Sequence, residues 1–285
     1  NIVIAVPLVI EKIYKTKVKP ILEKEGIKFL MKVPGLDQIV LNKVKTELVN
    51  AFGGEFYEVI IGGAAFNKEV EAFFKRMGFP FTVGYGMTEC APIITYDDWK
   101  EEKLYSCGKA APNMEVRIAS ADPINIPGEI QVKGANVFLG YYKNETATSE
   151  VFTEDGWFRT GDMGVLDADG SLFIKGRTKC MILGPSGQNI YPEEVETALN
   201  SQPYVVDSLV IEDDGGLTAL IYPDFQQGAK DGMDQRAFLQ YIKDQLPEWN
   251  KELPNYAKLK KIEVMSEDFE RTPKKSIKRY LYQRN

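Results

Sequence analysis

The 285-residue chain contains no histidine. That single absence removes Ser-His-Asp hydrolases, Cys-His proteases, histidine-ligated metal sites and imidazole acid–base chemistry together. Any catalysis has to rest on lysine, arginine, carboxylates, hydroxyls and backbone dipoles. Cysteine is scarce as well. Cys90, Cys107 and Cys180 are odd in number and show no CxxC spacing, which argues against a disulfide framework or a thiolate zinc site and fits a reducing, cytoplasmic setting. No stretch approaches the roughly 20 apolar residues that a spanning helix needs. The apolar opening, Asn1 to Ile10, contains Pro7 and has no basic flank before it. It reads as a buried strand entered mid-protein, not as a signal peptide; without an initial Met, the chain reads as an excised piece. Internal repeats and low-complexity segments are lacking too. Positive charge is not in excess, since the net charge is −6, and nucleic acid is disfavoured as a partner.

Hydrophobic residues make up 44% and charged residues 27%, which suits a soluble globular protein with one large domain or two modest ones. Residues Leu8 to Glu25 and Leu36 to Val49 carry helical spacing. Tyr57 to Ile61 is a short apolar strand ending in Gly62-Gly63-Ala64-Ala65. Asn67 is placed to cap a helix whose Val70, Phe73, Phe74 and Met77 share one face, and Gly78 and Pro80 end it. Phe81 to Val83 then starts a second strand that runs into Gly84-Tyr85-Gly86. Strand, helix and strand with short links form a parallel crossover, so both glycine turns belong at one edge of the sheet. Ligands of open α/β sheets bind at that edge.

From about Ser106 the pattern alternates with period two: Met114, Val116 and Ile118, then Ile130 and Val132. Asp167-Ala168-Asp169-Gly170 is a hairpin turn; a calcium loop is the weaker reading because the closing Glu and other ligands are missing. Pro192, Glu193 and Glu194 begin a helix. Strands are predicted at 205–211, 217–222 and 261–265, with a helix at 236–246. The fold class is therefore α/β: a parallel βαβ sheet portion and a small antiparallel β-barrel, followed by a separate, smaller α+β C-terminal domain. The expected divisions are 1–105, 106–176 and 177–285.

Gly84-Tyr85-Gly86-Met87-Thr88-Glu89 combines features that phosphate chemistry needs. Glycines admit close backbone approach, Tyr85 offers a flat ring, Thr88 a hydroxyl, and Glu89 a hard oxygen ligand for Mg²⁺. Asp162, in Arg159-Thr160-Gly161-Asp162, is suited to a ribose diol or simply to closing a hairpin. The tail from Lys258 onward carries nine Lys/Arg against four Asp/Glu. This is either a solvated face or a contact for a phosphate-rich ligand.

Together these segments closely resemble the adenylate-forming superfamily of acyl-CoA synthetases, luciferases and peptide-synthetase adenylation domains. The co-linear pieces are Gly63-Ala64-Ala65, Tyr85–Glu89, Gly128–Gly134, Gly140-Tyr141-Tyr142, Thr160-Gly161-Asp162, Gly176-Arg177 with Lys179, and Asn189–Glu196. The resemblance covers essentially the whole chain and leans toward long-chain fatty acid–CoA ligases. It implies that ATP and Mg²⁺ convert a fatty acid to acyl-AMP, which coenzyme A then captures as a thioester. It further implies that the backbone of Gly63, Ala64 and Ala65 holds the adenine, with Tyr85 stacking on it and Gly84 and Gly86 belonging to the same nucleotide site. Thr88 would contact the α-phosphate, Glu89 would hold Mg²⁺, Asp162 and Arg177 would bind ribose, and Lys179 would be the hinge.

Two departures stand out. The family's upstream Ser/Thr/Gly-rich phosphate loop is not in this sequence, so the chain alone is expected to adenylate little. At the tail, Thr272-Pro273-Lys274-Lys275-Ser276-Ile277-Lys278-Arg279 puts Ser276 where the catalytic lysine is expected, leaving Lys275 or Lys274 to reach instead. Rival readings are an aryl-acid ligase, a fatty-acyl–AMP ligase that loads a carrier protein, and a non-catalytic nucleotide-binding fragment. Acyl chain length and oligomeric state are not encoded legibly. Transient contact with a membrane surface stays open, because fatty acids partition into bilayers.

Overall fold

Strand-forming residues on either side of one amphipathic helix set up the first layer of the molecule. In the computed structural model, which describes residues 1–184, 187–272 and 276–284, β2 (Glu58–Ile61) and β3 (Phe81–Val83) pair in parallel, with Ile61 opposite Val83. Helix α5 (Lys68–Met77) links them. It is capped by the Asn67 side chain, which accepts from the Glu69 and Val70 amides, and it ends at Gly78 with φ 68°. β1 (Ile2–Ala5) adds to the other side of β2, also in parallel, giving the order β1-β2-β3. Helix α4 (Leu36–Ala51) and α5 bury Leu41, Val44, Leu48, Phe74 and Met77 against this sheet.

Two expectations need correction here. The predicted helix over 8–25 is broken into α1 (Pro7–Ile13), a π-helical turn at Tyr14–Val18, α2 (Lys19–Leu22) and then α3 (Glu25–Leu30). Pro20 lacks the amide for an unbroken ladder, and a widened turn precedes it. The opening segment is not a buried strand: only Ile2–Ala5 is extended, and as an edge strand it leaves Ile2 56% and Ile4 82% exposed.

The middle of the chain is antiparallel. β4 (Tyr85–Gly86), β5 (Ile93–Tyr96) and β6 (Lys109–Ala110) form one small sheet. β7 (Met114–Ala119), β8 (Gly128–Gly134), β9 (Phe158–Leu166) and β10 (Leu172–Arg177) form another, in the order β10-β9-β8-β7. This sheet is open, not the barrel that the alternation suggested, since β7 and β10 stand at opposite edges. Four strands are too few to close around a filled interior. Ile118, Ile130, Val132, Phe158 and Leu172 face its core, while α6 (Glu145–Glu150) lies in the β8–β9 connection.

The chain divides into two units, Asn1–Ile174 and Lys175–Asn285. In the second, β11 (Ile182–Leu183) pairs with β12 (Asn189–Ile190), and α7 (Pro192–Asn200) follows. β13 (Val205–Asp213) and β14 (Gly216–Pro223) form an antiparallel hairpin, and β15 (Leu259–Val264) joins β14 in parallel. Helices α8 (Phe225–Lys230), α9 (Gln235–Asp244) and α10 (Leu246–Glu252) separate β14 from β15. Val195, Leu199, Ala219, Ile221, Phe238, Ile242 and Trp249 make this unit's own core. No helix among the described residues is long and apolar enough to cross a membrane.

Candidate functional site

Parallel strands β2 and β3 end together, and their two glycine turns lie side by side as expected. The Gly84 amide donates to the Ile61 carbonyl at 2.9 Å. A Cβ on Gly62 would stand 3.1 Å from the Gly84 carbonyl oxygen. Gly63 takes φ 91°, a backbone that L side chains rarely adopt, and Gly63, Ala64 and Ala65 are exposed on this edge.

The chain then turns back on itself. Tyr85 pairs with Thr95 and Gly86 with Ile93, and Gly86 packs so closely that a Cβ there would lie 2.1 Å from the Pro92 carbonyl oxygen. A 3₁₀ turn at Thr88–Cys90 crosses the tip. It leaves Thr88 exposed and Glu89 half-buried. Asn136 braces this tip by donating to the Cys90 and Ile93 carbonyls at 2.6 and 3.0 Å.

β9 brings Asp162 to the same place. The Tyr85 hydroxyl donates to Asp162 Oδ2 at 2.7 Å, joining two motifs 77 residues apart in sequence. Tyr85 is only 8% exposed. Burial, and then the adjacent Asp162 carboxylate, push its hydroxyl far above the ordinary phenol range, so it remains a donor at any physiological pH. Thr160 shapes the approach. Its hydroxyl donates to the Ile130 carbonyl at 2.8 Å and accepts from the Asp162 amide at 3.1 Å, around Gly161 at φ 73°.

A further side chain reaches the tip that the roles assigned from sequence did not include. Tyr141 donates its hydroxyl to Glu89 Oε1 at 3.2 Å, and the Phe138 amide donates to the Glu89 carbonyl at 2.7 Å. The signal was present in Gly140-Tyr141-Tyr142, but spacing alone gives no contact between residues 52 apart. Partial burial and the Glu89 carboxylate raise the Tyr141 hydroxyl pKa above the usual phenol range. Cys90 beside them is pushed up to about 11 by burial and by Glu89, so it is a thiol and no nucleophile near neutral pH.

One unit thus brings together Gly63, Ala64, Ala65, Gly84, Tyr85, Gly86, Thr88, Glu89 and Asp162. Arg177 and Lys179 belong to the second unit, where both are exposed. Lys274 and Lys275 lie outside the described residues. On either side of them, the Thr272 amide donates to the Ser276 carbonyl at 2.8 Å. No group of three or more cysteines and carboxylates capable of holding a metal occurs among the described residues. A cavity of about 510 Å³ lies in the second unit, lined by Ile182, Glu212, Tyr256, Lys258 and Lys260 among others. It contains none of the glycine-turn residues, and the hydrogen-bond geometry marks the sheet edge, not this cavity, as the place where the motifs converge.

Comparison with known proteins bears on the family to which these segments belong. Residues 6–142 match the family described as AMP-binding enzyme, and residues 181–285 match the AMP-binding enzyme C-terminal domain. A long-chain-fatty-acid–CoA ligase of Mycobacterium bovis is 35% identical over 177 residues, covering 62% of this chain and 28% of the relative. A 2-succinylbenzoate–CoA ligase of Bacillus cytotoxicus is 36% identical over 182 residues, covering 60% and 37%. Among solved structures, an O-succinylbenzoate coenzyme A synthetase of Bacillus subtilis, in complex with ATP and magnesium ion, superposes with TM-score 0.72 at 25% identity, covering 98% of this chain and 50% of that one. The chain therefore spans well under two thirds of these relatives. The two matched segments nevertheless account for most of its length, one for each unit of the fold, and the chain belongs to the adenylate-forming family of AMP-binding enzymes.

Proposed function

We propose that the protein acts as an AMP-forming acid–CoA ligase, with a long-chain fatty acid as the acid. The observation that carries this reading is the Tyr85–Asp162 hydrogen bond, which holds a carboxylate beside the two glycine turns, and in this reading that carboxylate takes the ribose. In the first half-reaction a substrate carboxylate oxygen attacks the α-phosphorus of ATP, and the bond to the bridging oxygen breaks to release pyrophosphate. In the second, the thiol sulfur of coenzyme A attacks the acyl carbon, the acyl–oxygen bond breaks, and AMP leaves. Both steps need charge neutralisation and alignment, not imidazole proton transfer.

The residues take the following parts in this reading. Gly63, Ala64 and Ala65 present backbone to the adenine, Gly84 and Gly86 let the opposite turn close in, and Tyr85 flanks the base while orienting Asp162 toward the ribose. Thr88 donates to the α-phosphate. Glu89, oriented by Tyr141, fits as the protein ligand of Mg²⁺, because that ion is ordinarily held by one or two carboxylates together with substrate phosphates and water; when bound it neutralises phosphate charge. Arg177 meets the ribose, Lys179 serves as the hinge, and Lys274 or Lys275 stabilises the first transition state. Fatty-acid substrates are favoured by the tail frame Thr272–Arg279 and by the fatty-acid ligases among the relatives. The succinylbenzoate ligases among them support an aryl acid as the second reading.

Calorimetry with AMP tests the site directly. Micromolar-range binding that Asp162→Ala weakens tenfold or more is expected; no binding, or binding indifferent to Asp162→Ala, would overturn the assignment. Pyrophosphate release with ATP, Mg²⁺ and either hexadecanoate or 2-succinylbenzoate then separates the two acids. Turnover by the 285-residue chain alone is expected to be slow, since the phosphate loop is not in it.

A further inference from the structure

The last two motifs of the sequence meet inside the second unit. Glu196 ends Asn189–Glu196 and sits on α7; Arg279 ends Thr272–Arg279. Arg279 Nη1 donates to both Glu196 carboxylate oxygens, at 2.7 and 2.8 Å, and its Nη2 donates to the Val210 carbonyl at 2.9 Å. The Val210 amide returns a bond to Glu196 Oε1 at 2.6 Å. Four hydrogen bonds thus close a ring through α7, β13 and the tail. Glu196 is 9% exposed and Arg279 is half-buried, so the carboxylate side of the ring is shielded from water.

The tail forms a hairpin from this anchor. Arg271 bridges Ile277 in antiparallel fashion, the Thr272 amide donates to the Ser276 carbonyl, and the Lys278 amide donates to the Glu270 carbonyl, both at 2.8 Å. Arg271 donates to Asp207 at 2.7 Å and to Asp268 at 2.9 Å, tying the other arm to β13. The first turn of α7 also braces the segment that opens the unit. Lys175 donates to Glu194 at 3.1 Å, and a Cβ on Gly176 would meet Glu193 Oε2 at 2.9 Å and the Tyr191 side chain at 3.3 Å. One helix therefore holds the 175–176 segment at its start and the tail hairpin three residues later.

A buried ion pair is a poor source of net stability, because desolvation offsets the attraction and an apolar pair of similar volume often does as well. What a guanidinium fork supplies is direction: it fixes its partner in angle and distance. We propose that Arg279 is a positioning residue that, through Glu196, locks the C-terminal hairpin to α7, so that hairpin, helix and the 175–176 segment form one rigid piece. This consequence for catalysis rests on the ligase reading. The lysines assigned to adenylation fall between the hairpin's two arms in sequence, so loosening the arms slows adenylation and spares the transfer to coenzyme A.

Hydrogen exchange in this chain and half-reaction kinetics test the lock separately. In Arg279→Gln and Glu196→Gln, exchange of the Thr272 and Lys278 amides should quicken at least tenfold, while that of Ala219 to Ile221 in β14 holds within twofold. Arg279→Lys keeps the charge but not the fork and should fall between; Arg284→Ala, which breaks an exposed pair, should leave both amides unchanged. Pyrophosphate release should lose tenfold or more in kcat with KM for ATP within twofold, and thioester formation from supplied acyl-AMP should change less than twofold. Unchanged tail exchange overturns the lock, as does acceleration spread evenly through the unit. Faster tail exchange with unaltered adenylation overturns its part in the reaction. Failure of the unaltered protein to form the thioester from supplied acyl-AMP counts against the ligase reading instead, and exchange still decides the lock.

Discussion

A methyl group added at Gly86 would sit 2.1 Å from the Pro92 carbonyl oxygen, whereas one added at Gly63 meets nothing within 4 Å. The two glycines look alike in sequence, yet they are required for different reasons. Gly86→Ala has to force two backbones apart and is expected to cost about 3 kcal/mol. Gly63→Ala only strains its own left-handed backbone, about 1–2 kcal/mol. Urea denaturation of the two variants should rank them in that order, and a reversed rank would contradict the packing at Gly86. Tyr85→Phe removes the donor to Asp162 and should cost about 1–2 kcal/mol, because it leaves a half-buried carboxylate short of a partner; the same titration reads it. At this scale the sequence carried residue identities well and contacts badly. Tyr85 and Asp162 were legible as candidates. Their mutual bond was not, nor was Tyr141 on Glu89, since such contacts depend on how separate strands are brought together.

Helix α5 shows what an element can conceal. Its cap and its apolar face were readable from Asn67, Val70, Phe74 and Met77, but Glu71, which looks like an ordinary first-turn acid, is 4% exposed. It accepts from the Tyr105 amide, near Lys75, which pairs with Glu102 at 2.6 Å. Burial pushes the Glu71 carboxyl up to about 7; the Tyr105 amide, Lys68 and Lys75 oppose that rise, and Glu102 adds to it. A raised acid pKa means that the folded chain holds a proton the unfolded chain has already lost above about pH 4.5. Stability from this group is thus greatest at low pH and falls as pH climbs from about 4.5 to 7, by up to roughly 3 kcal/mol. Glu71→Gln keeps an acceptor for Tyr105 and cannot ionise. Its stability relative to the unaltered chain should improve steadily across that window and level off above it; parallel pH profiles would refute the buried proton. The broken 8–25 helix and the open sheet were illegible for a related reason. Periodicity reports which face is apolar, not where a proline widens a turn or whether the edge strands β7 and β10 meet.

For the molecule as a whole, the parallel crossover and the change to alternating strands after Ser106 were visible because each is a local pattern repeated over many residues. The exposed side of β1 was not, since an apolar run looks the same whether or not something covers it. The two units have separate cores, one built on Ile61, Phe74 and Phe81 and another on Ala219, Phe238 and Trp249. Residues 175–285 expressed alone are therefore expected to unfold in one cooperative step, with the slowest-exchanging amides in β14. A gradual, non-cooperative melt followed by circular dichroism would show that this core does not stand by itself.

The ring through Glu196, Val210 and Arg279 has a bearing on descent as well as on folding. An isolated change at Arg279 deprives the buried Glu196 carboxylate of its guanidinium, and one at Glu196 removes the acceptor that fixes Arg279, so single replacements should be purged and paired ones kept. Chains that share this C-terminal architecture are then expected to carry both charges or neither, and the two positions should vary in step although they stand 83 positions apart in sequence.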